Sequence, residues 1–182
     1  MQQKGSGVRS LLLAIEALHG KQGLERVLAA LPADVRAELG EHVLPVRWYP
    51  IHVVSALHVA VRDELGQGRW TESHRLGREA GRIDFTSIYR VLLRAVQYET
   101  VLERIRTAWA HYNSQGETRW TIHGPGSATG FIWGVEGFNQ GQWHSIAGRA
   151  EKLLLLAGAQ SAEIEVCDPT ETSVRLEVLY LE

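Results

Sequence analysis

The chain has 182 residues, 45% of them hydrophobic, and a formal net charge of −2. These values are typical of one globular domain spanning 1–182, and they exclude disordered and fibrous proteins and give no reason to expect a nucleic-acid partner. The single cysteine excludes a disulfide framework. The sequence shows no signal-peptide pattern and no apolar run near ~18 residues, so we expect a cytoplasmic protein with no membrane insertion.

Hydrophobic periodicity predicts three short helices over 6–40. Ser6 can cap the first helix, because its hydroxyl can accept from a free backbone N–H of the first turn, and Gly20 ends it. The second helix stops at Pro32, which also suits the first turn of the third helix, and Gly40 ends the third. Helices this short indicate a helical subdomain and not a long coiled coil.

The segment 41–49 lacks a helical period and is predicted to be an extended connector. Longer helices are predicted at 50–65, from 71 onward, at 87–98 and at 100–112. The inner side of the helix that begins at 71 is made of small residues, which allow another backbone to approach closely. These residues are Ser73, Gly77, Ala80 and Gly81.

The last third of the chain predicts a β-β-α-β-β unit. Asn139 is a plausible N-cap for its helix, and Gly158 suits the C-terminal position. The predicted strands are 119–123, 129–135, 163–166 and 174–180. We therefore predict an α+β fold in which 1–117 is helical and 118–182 forms a four-stranded antiparallel sheet packed on one helix.

Several short motifs occur in a fixed order along nearly the whole chain. They are Lys4-Gly5, Trp48-Tyr49-Pro50, Leu76-Gly77-Arg78, Trp109, His111-Tyr112, Gly116 and Gly158-Ala159. In this order they resemble a single-domain family of unknown function that is restricted to myxobacteria. The architecture also resembles a broader group that contains haem–nitric-oxide-binding domains, vinyl-reductase-like domains and TRAPP-complex subunits. That resemblance implies a sensor, a ligand carrier or an assembly subunit, often dimeric.

The resemblance to haem–nitric-oxide-binding domains raises the question of whether this chain binds haem. Haem–nitric-oxide-binding domains carry a proximal histidine and a Tyr-x-Ser-x-Arg clamp for the propionates. Here Tyr112 and Ser114 match the clamp, but Gly116 stands where the arginine is required. None of the eight histidines forms a close pair typical of zinc sites. We predict no metal and no cofactor; His58 is then a core residue, and the alternative is that His58 or His74 is an axial ligand.

Catalytic motifs are weak in this sequence. Cys167 lies beside an Asp-Pro turn without a partner histidine nearby in sequence, which favours a structural thiol. No Gly-x-Ser-x-Gly elbow occurs, and the turn 124–127 lacks the lysine of a phosphate loop. We therefore predict that the protein is not an enzyme.

Arg75, Arg78 and Arg82 recur at helical steps of three and four and form a ridge. Such a ridge could hold a phosphate, a nucleotide, an acidic head group or an acidic partner. The alternative is a solvated helix face that Glu72 and Glu79 partly neutralise. The last hairpin is acidic, so a second copy could place it against the ridge, and we predict a homodimer.

These patterns together predict a non-catalytic ligand- or protein-binding module in signalling or assembly. Small residues on the helix from 71 and on the second strand predict a gap between helices and sheet that could take an apolar small molecule. The predicted ligand-binding residues are Trp48, Tyr49, Gly77, Trp109, Trp133 and Phe138. The alternatives are a haem- or small-molecule-sensing domain and a homodimeric protein-interaction domain with no cavity.

Overall fold

The computed structural model describes residues 1–85 and 98–181, which form six helices and six strands. The helices are α1 (Gly5–Ala30), α2 (Ala33–Leu39), α3 (Ile51–Glu64), α4 (Thr71–Asp84), α5 (Tyr98–Tyr112) and α6 (Gln140–Ala157). The strands are β1 (Gln2–Lys4), β2 (Trp48–Pro50), β3 (Glu117–Gly124), β4 (Ser127–Trp133), β5 (Ser161–Cys167) and β6 (Ser173–Leu181). The predicted α+β fold is confirmed.

The predicted helix boundaries near the N-terminus follow local chemistry. Gly20 has a positive φ of 69° and kinks α1, so the two helices predicted on either side of it are one bent element. Gly40 ends α2 with a φ of 73°. The helix predicted at 87–98 falls almost entirely outside the described residues.

A two-stranded sheet ties the N-terminus to the middle of the chain. β1 pairs antiparallel with β2, and Gln3 also bridges to Asn113 at the end of α5. The backbone N–H of Gln2 donates to the Ser114 hydroxyl at 2.9 Å. The sequence does not predict this sheet, because three-residue strands carry no readable alternation and their partners are far apart in the chain.

Glycines allow α4 and α6 to pack backbone against backbone. A Cβ on Gly77 would lie 2.2 Å from the Ser145 carbonyl oxygen, and a Cβ on Gly148 would lie 2.2 Å from the His74 carbonyl oxygen. Real Cβ atoms do not approach so closely, so both positions require glycine. The predicted close approach of a second backbone to α4 is confirmed, and α6 supplies that backbone.

The sheet has the order β3-β4-β6-β5, with every neighbouring pair antiparallel. Its inner face is apolar and buried, while the outer face carries charged side chains. The buried inner side chains include Ala128, Ile132, Ile164, Val174, Leu176 and Val178. The alternation that predicted the strands therefore sets which face meets the helices.

α6 begins at the residue that the sequence indicates. Asn139 accepts from the Gln142 backbone N–H, and the Gln142 side chain accepts from the Asn139 backbone N–H, which is a complete capping box. Trp143 is fully buried and donates its indole N–H to the Thr170 carbonyl at 2.7 Å. This helix therefore joins the sheet hairpins to the helical part. None of the helices in the described ranges is long and apolar enough to cross a membrane.

Candidate functional site

A cavity of about 110 Å³ lies among α1, α3, α5 and α6, with the end of α4 at its side. Its apolar wall is made of Leu11, Val54, Phe85, Ile105, Ala108, Trp109, Phe138, Ile146, Ala150 and Leu153. A smaller number of polar side chains complete it, chiefly His58, Asp84, Asn113, Gln142, Ser145 and Arg149. An apolar cavity of ~150 Å³ takes up benzene or xenon, so this one suits a molecule of similar size.

His58 brings an imidazole to the cavity from the buried face of α3. Its Nδ1 lies 3.0 Å from the Ser73 hydroxyl, which fixes the ring between α3 and α4. Burial, and next the positive charge of Arg149, lower the pKa of His58 to about 3. The ring is therefore neutral near pH 7, and His58 adds a polar but uncharged group to the cavity wall.

Arg149 is the cationic side chain among the described residues of the cavity wall, and its charge is matched. Its guanidinium pairs with the Asp84 carboxylate and donates to the Gly7 carbonyl at 3.1 Å and the Ser10 hydroxyl at 3.0 Å. These contacts connect α6 with α4 and α1. Because each charge already has its counter-charge, the pair does not call for an ionic ligand.

Two amides of the cavity wall have an unused hydrogen-bonding atom. Gln142 accepts at Oε1 from the Asn139 N–H (2.8 Å) and the Ser55 hydroxyl (2.9 Å), yet its Nε2 has no partner. Asn113 donates from Nδ2 to the Trp109 carbonyl at 3.3 Å, yet its Oδ1 has no partner. Gln142 is 3% exposed and Asn113 is 8% exposed, so bulk water does not replace the missing bonds.

The structure brings two of the predicted ligand-binding residues together. Trp109 and Phe138 both line the cavity, with ring centroids 6.1 Å apart and planes tilted by 50°. The Trp109 indole N–H donates to the Gln115 carbonyl at 3.0 Å, which fixes the ring. Flat aromatic walls held in this way suit a flat apolar molecule.

The other predicted aromatic residues lie elsewhere. Trp133 borders an outer groove between α5 and β3, where the Arg119 guanidinium lies 5.7 Å from its ring centroid. Trp48 is half-buried in β2. Tyr49 is fully buried, and its hydroxyl accepts from the Leu44 N–H at 3.0 Å. None of these three side chains borders the cavity.

Gly77 does not border the cavity either, because the predicted gap beside it is filled. The Ser145 backbone of α6 occupies the space next to Gly77. On β4 the Trp120 ring covers Gly130, where a Cβ would lie 2.5 Å from the indole. Small residues here permit close packing, and the cavity lies among the helices instead.

The predicted arginine ridge on α4 is paired with carboxylates. The pairs are Arg75 with Glu72 (2.8 Å), Arg78 with Glu151 (3.1 Å) and Arg82 with Glu79 (2.6 Å). The ridge does not border the cavity, so it cannot hold the head of a molecule bound there. Its role toward an anion or an acidic partner stays a prediction.

The other residues considered for catalysis or metal binding, His74 and Cys167, are in environments that favour a structural role. His74 Nε2 lies 2.5 Å from a Glu151 carboxylate oxygen between α4 and α6. Burial, and next the Glu165 carboxylate, raise the pKa of the Cys167 thiol, which reduces the thiolate fraction. Within 1–85 and 98–181, no three His, Cys, Asp or Glu side chains converge as metal ligands.

Apart from His58, sequence reasoning missed the polar side chains of the cavity, although α6 carries a signal for two of them. Gln142 and Arg149 fall on the same helix face as Ile146, Ala150 and Leu153, at steps of three and four. Polar residues on an apolar stripe indicate either an ion pair or a polar contact in the interior. Only the packing of α1, α3 and α5 against this face shows that it borders a cavity.

Comparison with known proteins identifies the fold. The chain matches a crystal structure of a single-residue mutant of the Fe(II) unliganded H-NOX protein from K. algicida, with a TM-score of 0.73, 15% identity and coverage of 98% of this chain and 97% of that one. An oxygen-binding H-NOX domain related to soluble guanylate cyclases matches with a TM-score of 0.69, 12% identity and coverage of 98% and 95%. A structure concerned with haem redox potential and protein-induced porphyrin distortion matches with a TM-score of 0.67, 12% identity and coverage of 98% and 99%.

No family model and no curated protein matches the chain. The predicted architectural resemblance to haem–nitric-oxide-binding domains is confirmed at the level of the fold. The resemblance to the myxobacterial family stays a prediction.

Proposed function

We propose that this protein is a small-molecule-sensing domain with the H-NOX fold, whose ligand occupies the cavity among α1, α3, α5 and α6. This proposal rests mainly on the cavity itself. Its wall is mostly apolar, includes the Trp109 and Phe138 rings, and carries a few fixed polar side chains. Apolar walls with a small number of placed polar groups are typical of small-molecule sites. The fold supports this proposal, since the matching structures include an oxygen-binding domain.

The described residues do not fit haem. Sites for drug-sized molecules run from ~300 to ~1,000 Å³, and the cavity of about 110 Å³ is well below the space a porphyrin needs. The propionates would need free cationic donors, but Arg149 is committed to Asp84. Where the propionate clamp has its arginine, Gly116 lies against Trp109 and Val135. We therefore propose a ligand smaller than haem.

We propose that the domain binds its ligand without chemical change. The imidazole and the ion pair of the described cavity wall are engaged with the protein itself: His58 with Ser73, and Arg149 with Asp84. Cys167, the one thiol, lies on β5 and does not border the cavity. A catalytic site needs a nucleophile and a base within reach of a bound molecule, and the described cavity wall offers no such pair.

Two alanines of α5, each replaced by leucine, form a matched pair of variants that tests the ligand site. Ala108 borders the cavity, whereas Ala110 is exposed on the same helix and does not border it. Leucine at 108 fills part of the cavity, so benzene, measured by isothermal titration calorimetry, should bind Ala108→Leu at least about 10-fold more weakly than wild type. Ala110→Leu should bind benzene as wild type does.

Haem reconstitution completes this experiment. The purified chain is incubated with haem and passed over a desalting column, and its Soret absorption is recorded. We expect no stoichiometric Soret band. A stoichiometric band that disappears in His58→Ala or in His74→Ala would contradict the proposal, and so would a wild-type protein that takes up no benzene.

We also propose that the outer face of the sheet carries a protein contact, with a second copy of the chain as the partner. Three large apolar side chains are exposed there: Phe131 (44%), Leu179 (60%) and Leu181 (58%). Charges of both signs flank them, since Arg119 pairs in register with Phe131 and Glu163 pairs in register with Leu179. A two-fold arrangement brings the same patch from both copies together and can match opposite charges.

A further inference from the structure

The side chain of Gln142 has one hydrogen-bond donor that the protein does not use. Its Oε1 is held by the Asn139 backbone N–H at 2.8 Å and the Ser55 hydroxyl at 2.9 Å. Because a backbone N–H can only donate, the bond from Asn139 fixes which end of the amide is the oxygen, so the unpartnered end is the NH₂. With 3% of the residue exposed, Nε2 has no protein partner and no access to bulk water.

Asn113 presents the opposite case on the same cavity wall. Its Nδ2 donates to the Trp109 carbonyl at 3.3 Å, which leaves Oδ1 as the unpartnered end. The residue is 8% exposed and lies where α5 ends and meets Gln3 of β1. Native proteins pair most buried polar atoms, so one unused donor and one unused acceptor on one cavity indicate a partner that comes from outside the chain.

The rest of the cavity wall limits what that partner can be. Trp109 and Phe138 present two tilted rings 6.1 Å apart, which suits an aromatic ring. Arg149 and Asp84 neutralise each other, and His58 is buried and neutral near pH 7. A charged ligand would therefore be buried without a counter-charge, which is costly.

We propose that the cavity binds a small neutral aromatic molecule that has a hydrogen-bond acceptor for Gln142 and a donor for Asn113. This inference rests on the proposed function and names the chemical class of its ligand. An aromatic carbonyl accepts from Gln142 Nε2–H, and an aromatic hydroxyl or N–H donates to Asn113 Oδ1. The cavity of about 110 Å³ accommodates one ring with small substituents.

Two pairs of probes of matched size test the two bonds in the wild-type chain. Benzaldehyde replaces the methyl group of toluene with a carbonyl acceptor, and phenol replaces it with a hydroxyl, whose proton is the donor for Asn113. A neutral hydrogen bond corresponds to a roughly 3- to 10-fold change in affinity. We expect calorimetry to show benzaldehyde and phenol each binding at least about 3-fold more tightly than toluene.

When it is ionised, the side chain of Gln142→Glu has no donor and keeps an oxygen for the Asn139 N–H and the Ser55 hydroxyl, so binding is measured at about pH 8. The new carboxylate also lies at the N-terminus of α6, where negative charge is favoured, so the helix should be retained. We expect the preference for benzaldehyde over toluene to disappear or reverse in this variant. Asn113→Leu is the matched control: it should keep the preference for benzaldehyde and lose the preference for phenol.

The outcomes separate the inference from the function on which it rests. If toluene binds wild type as tightly as benzaldehyde and phenol do, the ligand class is wrong while the cavity remains a binding site. If Gln142→Glu keeps the benzaldehyde preference of wild type, Gln142 is not the donor and the inference is overturned. If none of the three probes binds wild type, the proposed function fails together with this inference.

Discussion

A single buried residue, His58, should control how stability depends on pH. Its pKa is lowered from the usual 6.5 to about 3, chiefly by burial and next by the charge of Arg149. Between pH 6.5 and about 3, His58 is protonated in the unfolded chain but stays neutral in the folded chain. Stability should therefore fall as pH decreases from 6.5 toward 3, by up to about 1.4 kcal/mol per pH unit.

His58→Asn tests this prediction, because asparagine can still bond to Ser73 but does not titrate. Urea unfolding is measured from about pH 7 to about pH 4.5. The free energy of unfolding should fall less steeply in His58→Asn than in wild type, so the two curves converge in acid. The control is His52→Asn, since 59% of the His52 side chain is exposed. Parallel curves for wild type and His58→Asn would show that His58 is not the group responsible.

At the scale of elements, the contact between α4 and α6 depends on glycine. A Cβ at position 77 would meet the Ser145 carbonyl at 2.2 Å, and neither backbone can yield without moving a helix. Gly77→Ala should therefore lower the free energy of unfolding by roughly 1–3 kcal/mol, although alanine is intrinsically the better helix former. Urea unfolding measures the change.

Gly81→Ala is the matched control on the same helix. The nearest atom to a Cβ at 81 is the Lys152 Cβ at 3.2 Å, whereas a Cβ at 77 would meet the Ser145 carbonyl oxygen at 2.2 Å. We therefore expect a smaller loss of stability than at 77. Equal losses at both positions would mean that the close backbone contact is not what makes Gly77 necessary.

At the scale of the whole molecule, the proposed self-association predicts a concentration-dependent mass. Light scattering over a range of protein concentrations should show a homodimer for wild type and a monomer for Leu179→Glu, which puts a charge into the exposed apolar patch of the sheet. Leu13→Glu is the control, because Leu13 is 38% exposed on α1, far along the chain from that patch. If wild type is monomeric at every concentration, the proposed contact between two copies is contradicted.

Apart from the three-residue strands β1 and β2, the order of the described elements could be predicted from the sequence because local chemistry determines it. Asn139 caps α6, Gly20 kinks α1, and strict alternation marks β5 and β6. The site could be predicted only in part. Trp109 and Phe138 border the cavity. The sequence analysis predicted a gap beside Gly77, but the α6 backbone fills that space.

The reason for that error is general. A small residue indicates that something comes close, and only tertiary packing shows whether a cavity or another backbone does so. The two unpartnered amide atoms of the cavity could not be predicted from the sequence either. Gln142 and Asn113 are noticed because their hydrogen bonds are incomplete, which is a property of the folded molecule.

Trp109 gives the cavity an optical consequence. Its indole borders the cavity on one side and the outer groove between α5 and β3 on the other. The fluorescence of an indole depends on the polarity and mobility of its surroundings, so a molecule that enters the cavity changes the emission of this ring without any added dye. The same ring also lies against the outer groove, so its emission should respond to a molecule bound on either side.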